Sequence, residues 1–152
     1  EIARVVDLRL GYLRGVIAPR NYTVETLTQL KASGYKIGLI SDCSSEVSIL
    51  WPKTPFAPLL DVAIFSCEVK LTKPDPRIYR IVCERLEVEP GRCLYVGDGG
   101  SGELTVALEF GMEPVLIRAP YDPVHRHCEA SAGTMLSQHK QVLARVRGQP
   151  SI

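Results

Sequence analysis

The stretch Val96-Gly97-Asp98-Gly99-Gly100-Ser101-Gly102-Glu103 sets the fold expected of this chain. Before it, Cys93-Leu94-Tyr95-Val96 is short, apolar and stopped by turn residues, the pattern of a buried strand. After it, Leu104, Ala107 and Leu108 recur at helical spacing, with Ser101 placed as an N-cap and Gly111 as a stop. A strand, a glycine turn and a helix in that order place Asp98 at the carboxyl end of a strand, where open α/β sheets bind ligands. Glu103 falls in the first helical turn, facing the same crevice. Two carboxylates there suit Mg2+, which takes one or two protein carboxylates and keeps several waters. By themselves these residues fit equally well a tight turn whose Glu103 offsets the helix dipole.

Two more segments extend the pattern. Tyr35-Lys36-Ile37-Gly38-Leu39-Ile40-Ser41-Asp42 is a second apolar strand, closed by a hydroxyl and a carboxylate. In Leu71-Thr72-Lys73-Pro74-Asp75-Pro76-Arg77-Ile78-Tyr79 a lysine precedes a helix that Asp75 caps and Pro76 starts. Phosphoryl chemistry calls for these three kinds of group: a hydroxyl and amides for the oxygens, a lysine for their charge, carboxylates for the metal.

With these segments in order, residues 20 to 118 resemble the haloacid dehalogenase-like hydrolases, a superfamily dominated by phosphatases. In that likeness Ser41 matches the second motif, and Asp42 contributes its backbone amide to phosphate binding. Lys73 matches the third motif. Asp98 matches the fourth as principal metal ligand, with Glu103 as the second; the family's usual spacings put an Asp where this chain has Gly102 or Glu103. The resemblance implies a Rossmann-like parallel sheet with helices on both faces. It also implies Mg2+ as cofactor, a small phosphorylated substrate, and an aspartyl-phosphate formed on an Asp-x-Asp nucleophile. That nucleophile belongs to a first strand lying between the strands that end at Ser41 and at Val96. None of Asp7, Asp42, Asp61, Asp75, Asp98 and Asp122 forms such a pair. The chain is therefore expected to be an N-terminally truncated form, with residues 1–18 a remnant of a helical cap and 19–152 a partial core. On that expectation the 152 residues are themselves inactive. A non-catalytic domain that at most binds phosphate and Mg2+ stays open, as does a phosphosugar mutase of the same superfamily. The Gly-Asp form of the fourth motif favours a phosphatase over a dehalogenase, since carbon–halogen displacement has no phosphate charge for a metal to balance.

The composition agrees with one domain. At 152 residues the chain is long enough to bury about two-thirds of its unfolded surface. A net charge of +1 gives no electrostatic case for nucleic acid or an acidic membrane surface. No apolar run approaches the ~20 residues of a membrane span. The five cysteines lack Cys-x-x-Cys spacing, which speaks against zinc and a disulfide framework and for a reducing cytoplasm. Cys43, beside Asp42, is expected to be a small packing residue, and His125-Arg126-His127-Cys128 a solvated loop.

Helices are further expected from Ile2 to Leu13, from Asn21 or Thr23 to Gly34, and from Ser44 or Ser45 to Leu50. Two more are expected from Asp75 to Leu86 and from Thr134 to Val146. Strands are expected at Val62–Phe65 and Pro114–Ile117. Trp51 to Pro58, with three prolines, is expected to be a loop whose Trp51 and Phe56 pack over the sheet. Ala119 to Gly133 also reads as loop.

Overall fold

Helices and parallel strands alternate along the chain in a computed structural model that describes residues 1–118, 134–136 and 140–147. The helices are α1 (Ile2–Val16), α2 (Thr23–Ala32), α3 (Ser45–Leu50), α4 (Ser66–Val69), α5 (Pro76–Leu86), α6 (Glu103–Glu109) and α7 (Lys140–Arg147). The strands are β1 (Gly38–Ser41), β2 (Val62–Phe65), β3 (Leu94–Gly97), β4 (Glu113–Ile117) and β5 (Thr134–Leu136). Every pairing among the described residues is parallel, and the fold is α/β and Rossmann-like.

Among the described residues the strands form two sheets, β1-β2 and β3-β4-β5. Gly38 faces Val62 in the first, and Leu94 faces Glu113 in the second. The resemblance puts β1 and β3 nearest the centre of one sheet, yet they are not paired with each other and are at best half-buried. In β4, by contrast, three consecutive residues are buried.

Strand β1 starts at Gly38 rather than Lys36 because the Asp61 carboxylate takes the Ile37 N–H at 2.8 Å, replacing a ladder partner with a side chain. That hydrogen bond also holds the Asp61 carboxyl below its ordinary range, ahead of help from Lys31. Gly38 lets α5 approach closely: a Cβ there would lie 2.8 Å from a Val82 methyl carbon. Helix α5 buries Ile78, Tyr79, Val82 and Cys83 at helical spacing against this sheet. Tyr79 also stacks beside Tyr95 of β3, with ring centroids 5.3 Å apart, and so bridges the two sheets. The far side of the second sheet is covered by α2 and α7, where Leu30 meets Val115, Val142 and Leu143.

Three local expectations give way. Ser101 is not the cap of α6: it lies in a 3-10 turn with φ 58°, and Gly102 at φ 70° stands at the cap position. The turn runs through left-handed residues, and the Gly99 and Gly100 N–H groups are taken by the Glu103 and Asp98 carboxylates instead of a serine hydroxyl. Thr134 to Leu136 is strand rather than helix, with Met135 exposed and Leu136 buried, the two-residue alternation of an edge strand; the helix begins at Lys140. The helix Ser66–Val69 was not anticipated from the sequence. The proline-rich segment contains two 3-10 turns, and Trp51 packs against Phe56 and against Phe65 at the end of β2, over the sheet as expected. Residues 119–133, including the His125–Cys128 cluster, lie outside the described residues.

At the start of α5 the Asp75 carboxylate accepts from the Arg77 N–H at 2.9 Å and from its guanidinium. The guanidinium first, and the N–H next, hold the Asp75 carboxyl down at about 2. A depressed carboxyl stabilises the folded state fully above its unfolded value of about 4 and loses that stabilisation as pH falls toward about 2. Thermal midpoints compared at neutral pH and at about pH 3 should therefore fall less in Asp75→Asn, which keeps a capping oxygen but does not titrate. Equal acid losses in the two proteins would remove Asp75 from the acid limb.

Candidate active site

The site grows from the end of β3. Tyr95 and Gly97, two residues apart on one strand, present the same face, and the Glu103 carboxylate folds back over it. A Cβ on Gly97 would lie 2.2 Å from Glu103 Oε1, so only glycine leaves room for the carboxylate. Glu103 is 2% exposed, and its oxygens are committed. Oε2 accepts from Lys73 Nζ at 2.6 Å and from the Tyr95 hydroxyl at 2.9 Å, while Oε1 accepts from the Gly99 N–H at 3.2 Å. The Tyr79 hydroxyl, itself buried, donates to the Glu103 carbonyl at 3.0 Å. Burial first, and the Glu103 charge next, push the Tyr95 phenol well above its ordinary range, so it serves as a donor.

Asp98 is the opposite kind of carboxylate. It is exposed at the mouth of the sheet, and Gly100 donates its N–H to Oδ1 at 3.0 Å, closing a local turn. Among the described residues no three His, Cys, Asp or Glu side chains converge on one point, so a cation here would depend on Asp98, waters and substrate oxygens.

Lys73 links the two sheets. Its ammonium joins Glu103 beside β3, and its backbone N–H is shared between the two Asp42 carboxylate oxygens, at 3.1 and 3.2 Å, beyond β1. The sequence reading gave Asp42 only a backbone amide; its side chain also fixes the lysine loop. The lysine side chain is 18% exposed. At 2.6 Å and an effective dielectric of about 20, the gross attraction of the pair is about 6 kcal/mol. Desolvation of two ions costs a similar several kcal/mol, so the pair is worth little net, but losing one partner is expensive.

Ser41 ends β1, half-buried, with Asp42 exposed beside it. Burial raises the Cys43 thiol, and the neighbouring Ser41 hydroxyl partly offsets that rise. The structure thus joins Asp42, Lys73 and Glu103 in one continuous chain of hydrogen bonds, with Asp98 sharing the turn of Glu103. Ser41 stands outside that chain of hydrogen bonds, at the end of β1 opposite Phe65. Sequence reasoning passed over Tyr95, Tyr79 and Gly97. The signal for the first and last was their two-residue spacing within an otherwise aliphatic strand.

Comparison with known proteins bears on the family and the fold. The profile of the haloacid dehalogenase-like hydrolases matches residues 2–111. The chain is 32% identical over 100 residues to the (S)-2-haloacid dehalogenase 4A of Burkholderia cepacia, covering 65% of this chain and 43% of that protein. It is 31% identical over 105 residues to the glyceraldehyde 3-phosphate phosphatase of Methanocaldococcus jannaschii, covering 67% of this chain and 45% of that one. Among solved structures, a HAD phosphatase from Thermococcus onnurineus superposes with a TM-score of 0.72 at 27% identity, over 86% of this chain and 59% of that one. The chain thus spans less than half the length of these curated relatives.

Proposed function

This chain belongs to the haloacid dehalogenase-like hydrolases, and from that membership we propose that it forms the phosphate- and metal-handling part of a cytoplasmic Mg2+-dependent phosphatase acting on a small phosphorylated metabolite. The observation that carries the reading is the division of labour between two carboxylates five residues apart in one turn: Asp98 exposed, Glu103 buried under Lys73. The likeness to a sugar-phosphate phosphatase supports the substrate class. No helix among the described residues is long and apolar enough to cross a membrane.

The donor set fits Mg2+ at Asp98. Glu103 fits less directly, because Lys73 and Tyr95 already occupy Oε2. Asp98 would hold the ion, and Glu103 would stand behind it, orienting Lys73 and the Gly99 amide. When bound, Mg2+ offsets the repulsion between an anionic nucleophile and the phosphate. The Ser41 hydroxyl and the Asp42 amide would hold a non-bridging oxygen. The Lys73 ammonium, kept in place by Glu103 and Asp42, would neutralise charge from the other side. The nucleophile would be an Asp-x-Asp aspartate on a strand seated between β1 and β3, attacking phosphorus to form an aspartyl-phosphate that water then hydrolyses.

The 152 residues contain no Asp-x-Asp, which favours a second reading of this sequence by itself, as a domain that binds phosphate and Mg2+ without turnover. An assay with p-nitrophenyl phosphate and Mg2+ decides between them. The 152-residue chain should give no turnover, and the same chain extended by an Asp-x-Asp strand should give it. Turnover by the unextended chain that Asp98→Ala abolishes would require a nucleophile within these residues and defeat the mechanism.

A further inference from the structure

We propose that Cys43 and Cys67 are a thiol pair that peroxide closes to a reversible disulfide at the end of β1. The pairing of β1 with β2 brings them together. Ser41 lies opposite Phe65 in a parallel register, with strands about 4.8 Å apart. Just beyond the ladder, the Ser66 hydroxyl accepts from the Cys43 N–H at 2.9 Å and donates to the Cys43 carbonyl at 3.3 Å. These two hydrogen bonds tie the Cys43 N–H and carbonyl to the side chain of Ser66, the residue before Cys67. Cys67 follows in the first turn of α4, next to the serine that holds the Cys43 backbone. The Cys67 thiol lies among the groups that act electrostatically on Cys43. The Cys67 thiol also donates to the Ser48 hydroxyl at 3.9 Å.

Access separates this pair from Cys83. Cys43 and Cys67 are half-exposed, whereas Cys83 is 5% exposed in the core cluster beneath α5, and burial pushes its thiol up to about 12. Cys93, beside it, donates to the Glu89 carbonyl at 3.3 Å, and burial raises it too.

The chemistry balances with hydrogen peroxide as oxidant. One thiolate attacks a peroxide oxygen, giving a sulfenic acid and hydroxide, which takes up the proton the thiol had released to become water. The second sulfur attacks the sulfenyl sulfur, the S–S bond forms, and the hydroxyl leaves with that thiol's proton as a second water. Two thiols lose two electrons and the peroxide gains them. The bond would fasten the residue directly after Asp42, whose carboxylate holds the Lys73 N–H, so oxidation stiffens the loop on which the lysine is mounted.

Trypsin gives a clean reading, because cleavage after Lys36, Lys53 and Lys70 puts Cys43 on peptide 37–53 and Cys67 on 54–70. The other described cysteines fall on 81–85 and 93–118. After graded peroxide and alkylation of the full chain, the main product should be 37–53 linked to 54–70, lighter by two hydrogen atoms than the sum. Dithiothreitol should reverse it. It should be absent from Cys43→Ser and from Cys67→Ser, with Cys→Ala variants as a second pair should serine disturb folding. Sulfinic acid on either peptide without the link, a link between 81–85 and 93–118, or a link between two chains would overturn the proposal.

Discussion

Replacing Lys73 with methionine should lower the stability of the chain by about 3–5 kcal/mol, because it leaves the Glu103 carboxylate buried without its cation. The environment argues for the upper part of that range. Glu103 is 2% exposed, water has little room to replace the ammonium, and the remaining donors are one phenol and one amide. For a domain of this size each kcal/mol moves the thermal midpoint by about 2–4 °C, so a loss of roughly 10 °C is expected. Removing both partners, in Lys73→Met with Glu103→Leu, should return much of the loss, since the desolvation of two ions is avoided together with their attraction. Denaturant or thermal unfolding of the two single variants and the double variant reads this coupling directly. A loss below about 1 kcal/mol for Lys73→Met would mean that Glu103 does not depend on the lysine.

In the chain extended by an Asp-x-Asp strand, Asp98→Asn should reduce phosphatase turnover by about a thousandfold, the equivalent of ~4 kcal/mol of transition-state stabilisation. Asparagine retains an oxygen that can accept the Gly100 N–H, so the turn survives while the charge on the cation is lost. Glu103→Gln should weaken Mg2+ binding less than Asp98→Asn does, because Glu103 already spends its oxygens on Lys73, Tyr95 and Gly99. Its main effect should be on stability and on the placement of Lys73. Calorimetric Mg2+ titration alongside the rate separates the two carboxylates. Equal Mg2+ dependence of wild type and Asp98→Asn would end the assignment of the metal to Asp98.

Much of this architecture is legible in the residues because the elements that form it are locally determined. Asp75 and Pro76 announce the start of α5, and Val62 to Phe65 reads as a strand and is one. The glycine turn after β3 is plain as a turn, but its hydrogen bonding is not. A serine before an apolar period signals a cap, and here the Asp98 and Glu103 carboxylates take the N–H groups of Gly100 and Gly99 instead. The tail was misread because Thr134 to Leu136 is too short to show its alternation against the helical pattern that follows. The ion pair of Lys73 with Glu103 and the grip of Asp42 on Lys73 join residues 30 or 31 apart in sequence. No local pattern encodes such distances; the order of the motifs along the chain was the only trace they left.

The division into two sheets also sets an order of assembly. The partners of β1 and β2, and those of β3 and β4, are separated by short stretches of chain, so each half closes a small loop at modest entropic cost. Contacts between the halves are specific: Tyr79 lies against Tyr95, Lys73 on Glu103 and Leu30 against Val115. Each sheet pairs its own strands without the other, whereas Lys73 reaches Glu103 only where the two halves meet. The site is therefore complete only in molecules whose halves have docked.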